Sequence, residues 1–220
     1  MPVRSPVRSW KQLVVGVIVV AAILLILMAG NIVAGDPLAN LDLAIAVYLH
    51  AHSDPALVLL MLLVTHAHGI IGMSVYTLVL AAYLARRRAW DWLLAVFLAV
   101  PVGMLINVLL KRFFQRARPV FDDPLLTLTT YSFPSGHTSG ATLFYGILTM
   151  YVFSRKKNGR IHTACVAGWI VLVVLVGFSR MYLGVHYLTD VVAAATWSLA
   201  WLALCALATH SLRQRFRSRA

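Results

Sequence analysis

Arg180, His186 and Asp190 stand between two long apolar runs near the C-terminal end of the chain. Ionisable groups in such a setting are costly, so their first reading is a functional site. His186 and Asp190 are four residues apart. If a helix begins near Val185, both lie on one face and within reach of each other. A carboxylate that holds the proton of one imidazole nitrogen leaves a lone pair on the other. That is how a histidine is prepared as a nucleophile or a base. The plainer alternative is a helix-end salt link from Arg180 to Asp190, with His186 as a polar cap.

Two further stretches carry complementary chemistry. Lys111 and Arg118 are seven apart; on one helix they would point the same way, ~10 Å apart along its axis. If the helix ends between them, the loop can bring Arg118 inward. Arginine offers phosphate oxygens a planar fork and lysine a point charge. A basic stripe on lipid headgroups is the competing reading. Pro134-Ser135-Gly136-His137 precedes an apolar run. Proline suits a first helical turn, glycine lets an oxyanion approach the backbone, and free N–H groups at a helix start bind anions. Ser135 and Gly136 can then cradle a phosphate beside His137; otherwise the segment is a turn with a capping histidine.

Taken together, these pieces make a phosphoryl-transfer site. Lys111, Arg118 and Arg180 neutralise the oxygens as charge shifts in the transition state. His186 attacks in line, oriented by Asp190, and His137 protonates the leaving oxygen. Water then hydrolyses the phosphohistidine. Arginines and backbone dipoles do the charge work and no metal-ligand cluster is visible, so neither a metal nor a cofactor is expected.

The elements that must position these residues are membrane helices. The chain has 220 residues, 61% hydrophobic and 12% charged, unlike a water-soluble domain. A run of about twenty apolar residues crosses a ~30 Å hydrocarbon core. The runs predict six spans, about 12–33, 57–84, 90–110, 138–154, 161–178 and 188–209. Pro101 and Gly103 predict a kink in the third. Residues 37–52 carry Leu38, Leu41, Ile45 and Tyr48 at helical spacing around Asp42. They predict an amphipathic helix lying in the interface. The basic start before the first run resembles a signal peptide. The run is long, however, and Ile32-Val33-Ala34 is a poor cleavage site, so an uncleaved span is expected. The expected fold is an all-α, six-span transmembrane bundle, a single domain over residues 1–220.

The net charge of +12 can signal a nucleic-acid partner, but here the cations cluster between apolar runs, which fits membrane orientation instead. With six spans and the N-terminus inside, 14 of the 19 Lys and Arg fall on the inner side. Both termini are therefore expected in the cytoplasm, with the protein in the plasma membrane. The other five, Lys111, Arg112, Arg116, Arg118 and Arg180, share the outer face. A positive cluster there asks for an anion. His66 and His68 point ~200° apart on a regular helix, so they cannot share a metal and read as bundle-facing polar residues. Cys165 and Cys205 lie inside apolar runs, where neither a disulfide nor a metal site is expected. The acidic residues are seven aspartates, read as lying in or near loops.

The three motifs resemble those of the type 2 phosphatidic acid phosphatase (PAP2) superfamily, which includes vanadium haloperoxidases and bacterial acid phosphatases. Lys111…Arg118-Pro119 matches its K-x6-R-P, Pro134-Ser135-Gly136-His137 its P-S-G-H, and Ser179-Arg180…His186…Asp190 its S-R-x5-H-x3-D. The resemblance implies a helical core with the site on the outer face. It also implies His186 as nucleophile, Asp190 as its partner and His137 as general acid. Lys111, Arg118, Ser135, Gly136 and Arg180 would be the phosphate ligands. The implied activity is metal-independent hydrolysis of a membrane lipid phosphate, with undecaprenyl diphosphate as first choice. Phosphatidylglycerol phosphate, phosphatidic acid and lipid A phosphates are the alternatives. A phosphotransferase with the same intermediate, an anion-selective transporter without chemistry, and a vanadium peroxidase are the competing functions.

Overall fold

The computed structural model describes residues 6–34 and 37–217, and among them the regular structure is helical, without strands. In chain order the helices are α1 (Pro6–Ala34), α2 (Pro37–Ala51), α3 (Pro55–Ala67), α4 (Ile70–Arg86), α5 (Trp90–Phe97), α6 (Gly103–Phe114), α7 (Gly136–Arg155), α8 (Gly159–Tyr182) and α9 (Leu188–Arg217). Arg4 and Arg219, two of the cations counted for orientation, lie outside the described residues.

Helix α7 is the axis of the bundle. It packs against α4, α5, α6, α8 and α9, and Thr138, Ser139, Ala141, Thr142 and Gly146 along it are buried. A helix enclosed by other helices meets no lipid, so it can be small and polar; small residues also let backbones approach. At Gly146 an added Cβ would stand 2.8 Å from Trp169 Cζ2. Around this axis, Leu84, Trp92, Ala95, Leu143, Ile147 and Leu202 close the main core. Large apolar side chains such as Leu78, Val79, Leu105, Ile170, Val171 and Val174 point outward. Exposed apolar surface of this extent marks a membrane protein.

Among the described residues, three helical stretches are long and apolar enough to cross a bilayer: Trp90–Phe114, Gly159–Tyr182 and Leu188–Thr209. A fourth appears if Leu38–Ala51 and Pro55–Ala67, bent by 119°, count as one. The other expected spans are not among them. In α1 the apolar stretch within the described residues is Val14–Met28. Helix α7 is too polar, because protein rather than lipid surrounds it. The expected single span over 57–84 is divided into α3 and α4 at His68–Gly69. There the His68 ring bonds Val64 O at 2.9 Å and Tyr145 Oη at 2.9 Å. His68 is thus the bundle-facing residue expected, whereas His66 is exposed and bonds only its own helix, at Leu62 O.

The expected kink at Pro101 is a widened turn. Residues Leu98–Val102 form a π-helical segment that joins α5 to α6 in one continuous stretch. Proline removes a backbone donor, and a π-turn is one way to absorb it. Trp201 Nε1 donates to Leu98 O at 2.9 Å, supplying a partner within the widened turn.

Helix α2 corrects one expectation. Asp42 is not near a loop; it is inside the helix and only 2% exposed. Leu41, Leu43, Val47 and Tyr48 are exposed instead. The helix therefore turns its polar residue toward the protein and its apolar stripe away from it. That is the arrangement of a helix docked on a polar site with lipid behind it.

Candidate active site

Four helix ends converge to form the site. Lys111 is in the last turn of α6, which stops at Gln115, a residue in the left-handed conformation with φ 46°. The turn frees the chain to fold back, so Arg116 and Arg118 leave the helix and point inward. Ser135 is the N-cap of α7 and Arg180 lies in the last turn of α8. After α8 the chain reverses through Gly184 at φ 69°, a value glycine adopts without strain. His186 follows in the turn and Asp190 sits in the first turn of α9.

The His186–Asp190 contact expected from their spacing is present, with Nδ1 3.1 Å from Asp190 Oδ2. Both side chains are buried, His186 at 2%. Asp190 Oδ2 also accepts from Tyr187 N at 2.9 Å and from Ser132 Oγ. With Nδ1 donating to the carboxylate, Nε2 carries the lone pair. Arg118 Nη1 lies 3.2 Å from that Nε2. Burial is the largest influence on His186 and pushes it down to about 3 against the opposing pull of Asp190. The imidazole is therefore neutral near pH 7.

The cations gather around this pair. Arg118 donates to Thr130 O at 2.7 Å, to Thr130 Oγ1 at 3.0 Å, and to Val185 O. Burial lowers its pKa, with Asp190 acting the other way. Lys111 Nζ donates to Tyr131 O at 2.7 Å and to Ser132 O at 3.0 Å. Its charge is felt by His186, and it feels Arg118, Asp190 and Arg180. Arg180 is 1% exposed and donates through Nη1 to Thr65 Oγ1 on α3. Its Nε and Nη2 have no partner. It is not paired with Asp190, whose cation is Arg116, so the salt-link alternative fails. Arg112 is exposed and stays outside the cluster.

At the start of α7 the first amides, as at any helix N-terminus, have no intrahelical acceptor. Ser135 N donates to Asp190 O at 3.1 Å, tying this helix start to that of α9. A Cβ at Gly136 would meet Asn107 Oδ1 at 3.4 Å and Lys111 Cε at 3.9 Å; the glycine thus lies beside the lysine. His137 is within electrostatic reach of Arg180, His186 and Arg118, and its Nε2 approaches Gly69 at the break between α3 and α4. Among the described residues, no group of three His, Cys, Asp or Glu is placed to hold a metal ion.

Several residues at the site escaped the sequence reading. Arg116 was counted as a charge but given no role. Its Nη1 donates to Asp190 Oδ1 at 2.6 Å, and its Nη2 to Asp42 Oδ2 at 2.8 Å. The sequence reading places Asp42 in an amphipathic helix, Ser132 in a loop and Thr65 in an apolar span, and gives none of them a role. One signal was available for Asp42: a lone carboxylate inside an apolar helix needs a buried partner. Ser132 and Thr65 carry no such signal. A cleft of about 450 Å³ borders the site, lined by Arg116, Arg118, Phe121, Leu126, Tyr131 and Val185 among others.

An all-helical membrane protein with a buried histidine–carboxylate pair inside a ring of cations has the form of an enzyme that handles phosphate esters. Residues 92–214 match the family model of the PAP2 superfamily, and the chain belongs to that superfamily. It is 37% identical over 118 residues to phosphatidylglycerophosphatase B of Bacillus subtilis, a match covering 51% of this chain and 55% of that protein. The chain thus matches about half the length of this relative. It is 42% identical over 64 residues to the bacitracin transport permease protein BcrC of Bacillus licheniformis, covering 29% of this chain and 27% of that one. Among solved structures it resembles a transmembrane PAP2-type phosphatidylglycerolphosphate phosphatase from Bacillus subtilis, with TM-score 0.78 and 27% identity. That likeness covers 86% of this chain and 93% of the other. Aquifex aeolicus LpxE shares the fold at TM-score 0.58 and 23% identity, over 78% of this chain and 95% of that one.

Proposed function

We propose that this protein is a lipid phosphate phosphatase that works through a phosphohistidine on His186, at the outer face of the plasma membrane. The observation that carries the reading is Arg180: a guanidinium held inside the protein with two nitrogens unpartnered, within electrostatic reach of Arg118, which itself lies 3.2 Å from His186 Nε2. A buried cation with unused donors is stabilised by an anion that fits them.

The chemistry runs in two balanced steps. Burial holds His137 down to about 2 without an anion, so it takes up its proton together with the incoming phosphate. The Nε2 lone pair then attacks phosphorus while the bond to the leaving oxygen breaks, and that oxygen takes this proton from His137. Water then attacks phosphorus and gives its proton to His137. The P–N bond breaks, and phosphate leaves with His186 neutral again. Arg118 occupies the lone pair of Nε2 in this arrangement. Attack therefore requires its Nη1 to move from the imidazole to a phosphate oxygen, a short swing that couples substrate arrival to exposure of the nucleophile. Arg180, Lys111 and the first amides of α7 take the remaining oxygens.

The names of the relatives favour phosphatidylglycerol phosphate as substrate, ahead of the undecaprenyl diphosphate favoured by the sequence reading. The outward orientation rests on the 14 of 19 cations assigned to the inner side. The test is phosphate release by purified protein in detergent from phosphatidylglycerol phosphate, phosphatidic acid and undecaprenyl diphosphate. Release from at least one, unchanged by EDTA, is the expected result. No release from any, or appearance of a second phosphorylated lipid in place of free phosphate, overturns the hydrolase reading.

A further inference from the structure

Arg116 and Asp42 belong to none of the three motifs, yet they form the other half of the Asp190 environment. Asp42 Oδ1 accepts from Thr189 N at 3.0 Å, and its Oδ2 from Thr189 Oγ1 and from Arg116 Nη2. Arg116 Nη1 reaches Thr189 Oγ1 at 2.8 Å and Asp190 Oδ1 at 2.6 Å. The guanidinium stacks on Tyr187, 4.2 Å from the ring centroid. One guanidinium thus serves two buried carboxylates, one on α2 and one on α9.

We propose that Asp42 and Arg116 are positioning residues that set the charge Asp190 presents to His186. If Arg116 faced Asp190 alone, the pair would cancel and the carboxylate would do little for a histidine gaining positive charge. Asp42 draws off half of the fork. Two carboxylates and one guanidinium leave one negative charge, and the face of Asp190 turned to His186 Nδ1 carries it. When phosphoryl bonds to Nε2 the ring becomes cationic, with its Nδ1–H still donating to Asp190 Oδ2. That residual charge stabilises the intermediate. Arg116 in turn keeps Asp190 ionised and fixes its plane. The proposal rests on His186 being the nucleophile.

Opposite charges must give opposite effects, and this separates positioning from mere structural support. The groups acting on His186 are Asp190 on α9, Lys111 on α6, and Arg118 in the loop after α6, with His137 nearby on α7. The test compares wild type, D42N, R116Q and R116K for phosphate release from the lipid that wild type hydrolyses. D42N removes a negative charge, so the acid limb of kcat/KM moves to lower pH. R116Q removes a positive charge, so the limb moves to higher pH, and R116K returns it toward wild type. The substrate phosphate also titrates, near pH 6, but equally in all variants. Both D42N and R116Q lower kcat by about tenfold or more, as loss of a histidine's hydrogen-bonded partner does in metal sites, with KM little changed. Should D42N fail to fold by thermal melting, R116Q and R116K decide alone. Limbs that stay in place, or move the same way, overturn the proposal. If wild type releases no phosphate, or H186A matches wild type, the phosphatase reading itself has failed. If those controls behave and only the limbs are still, this inference alone is lost.

Discussion

On the α9 side of the site, the charged groups are saturated with partners. Asp190 accepts from His186, Ser132, Tyr187 N and Arg116, and Arg116 divides its donors between two carboxylates. On the α8 side, Arg180 is equally buried but uses only Nη1, on Thr65, and leaves Nε and Nη2 unpaired. Arg118 links the two sides: its charge is felt by Arg180, and it feels Asp190 itself. Satisfied polar networks are rigid and specify one geometry. A buried donor without an acceptor costs about 1–3 kcal/mol, a cost an anion there would offset. One side holds a side chain in place; the other waits for a ligand. Lys111 and Arg118 stand between these limits, bonded to backbone oxygens that a phosphate can replace.

The comparison breaks most visibly if the saturated side is not the one that does chemistry. H186A should lower phosphate release by about a thousandfold or more while the protein stays folded, since removing a nucleophile leaves only residual stabilisation by the rest of the site. D190N keeps the shape but loses the charge, and a loss of about a hundredfold is expected. Near-normal turnover in either variant would remove the nucleophile from this side. For the other side, the probe is vanadate as a phosphate mimic. Vanadate should raise the melting temperature of wild type, and R180Q should bind it about a hundredfold more weakly, the equivalent of two lost charge-assisted bonds. Equal protection of R180Q and wild type would show that the unpaired nitrogens are not an anion seat.

What could be read in the sequence divides along the same line. The His186–Asp190 contact follows from a spacing of four at a helix start, so a local rule reached it. The turn inward of Arg118 was one of two open alternatives for the loop after α6. The left-handed Gln115 that decides it has no glycine to announce it. Arg116, Asp42 and Thr65 lie on three separate segments of chain, and no local rule joins them. The pairing of Arg116 with Asp42 spans 74 positions and depends on α2 docking with its carboxylate inward. The span pattern is supported in part, by three stretches long and apolar enough to cross a bilayer. Hydropathy reports contact with hydrocarbon, so it finds α8 and α9 and undervalues α7, which the other helices enclose.

The weakest effect sharpens the comparison through stability rather than turnover. Burial holds folded His186 at about 3, whereas an unfolded histidine titrates near ~6.5. Between those values the unfolded chain takes up a proton that the folded chain refuses. Stability therefore rises with pH across that window and is fully present only above it. Below about pH 3 both states are protonated, and the contribution is gone. The melting temperature of wild type in detergent should fall as pH drops from 7 to 4. In H186A this source of pH dependence is missing, so the fall should be shallower and the two curves should converge toward low pH. Asp123, lowered through its hydrogen bond to His50, titrates alike in both proteins and cancels in the difference. Parallel curves would mean that His186 is not held neutral by the fold, and that the saturated side stores no bias toward the free lone pair.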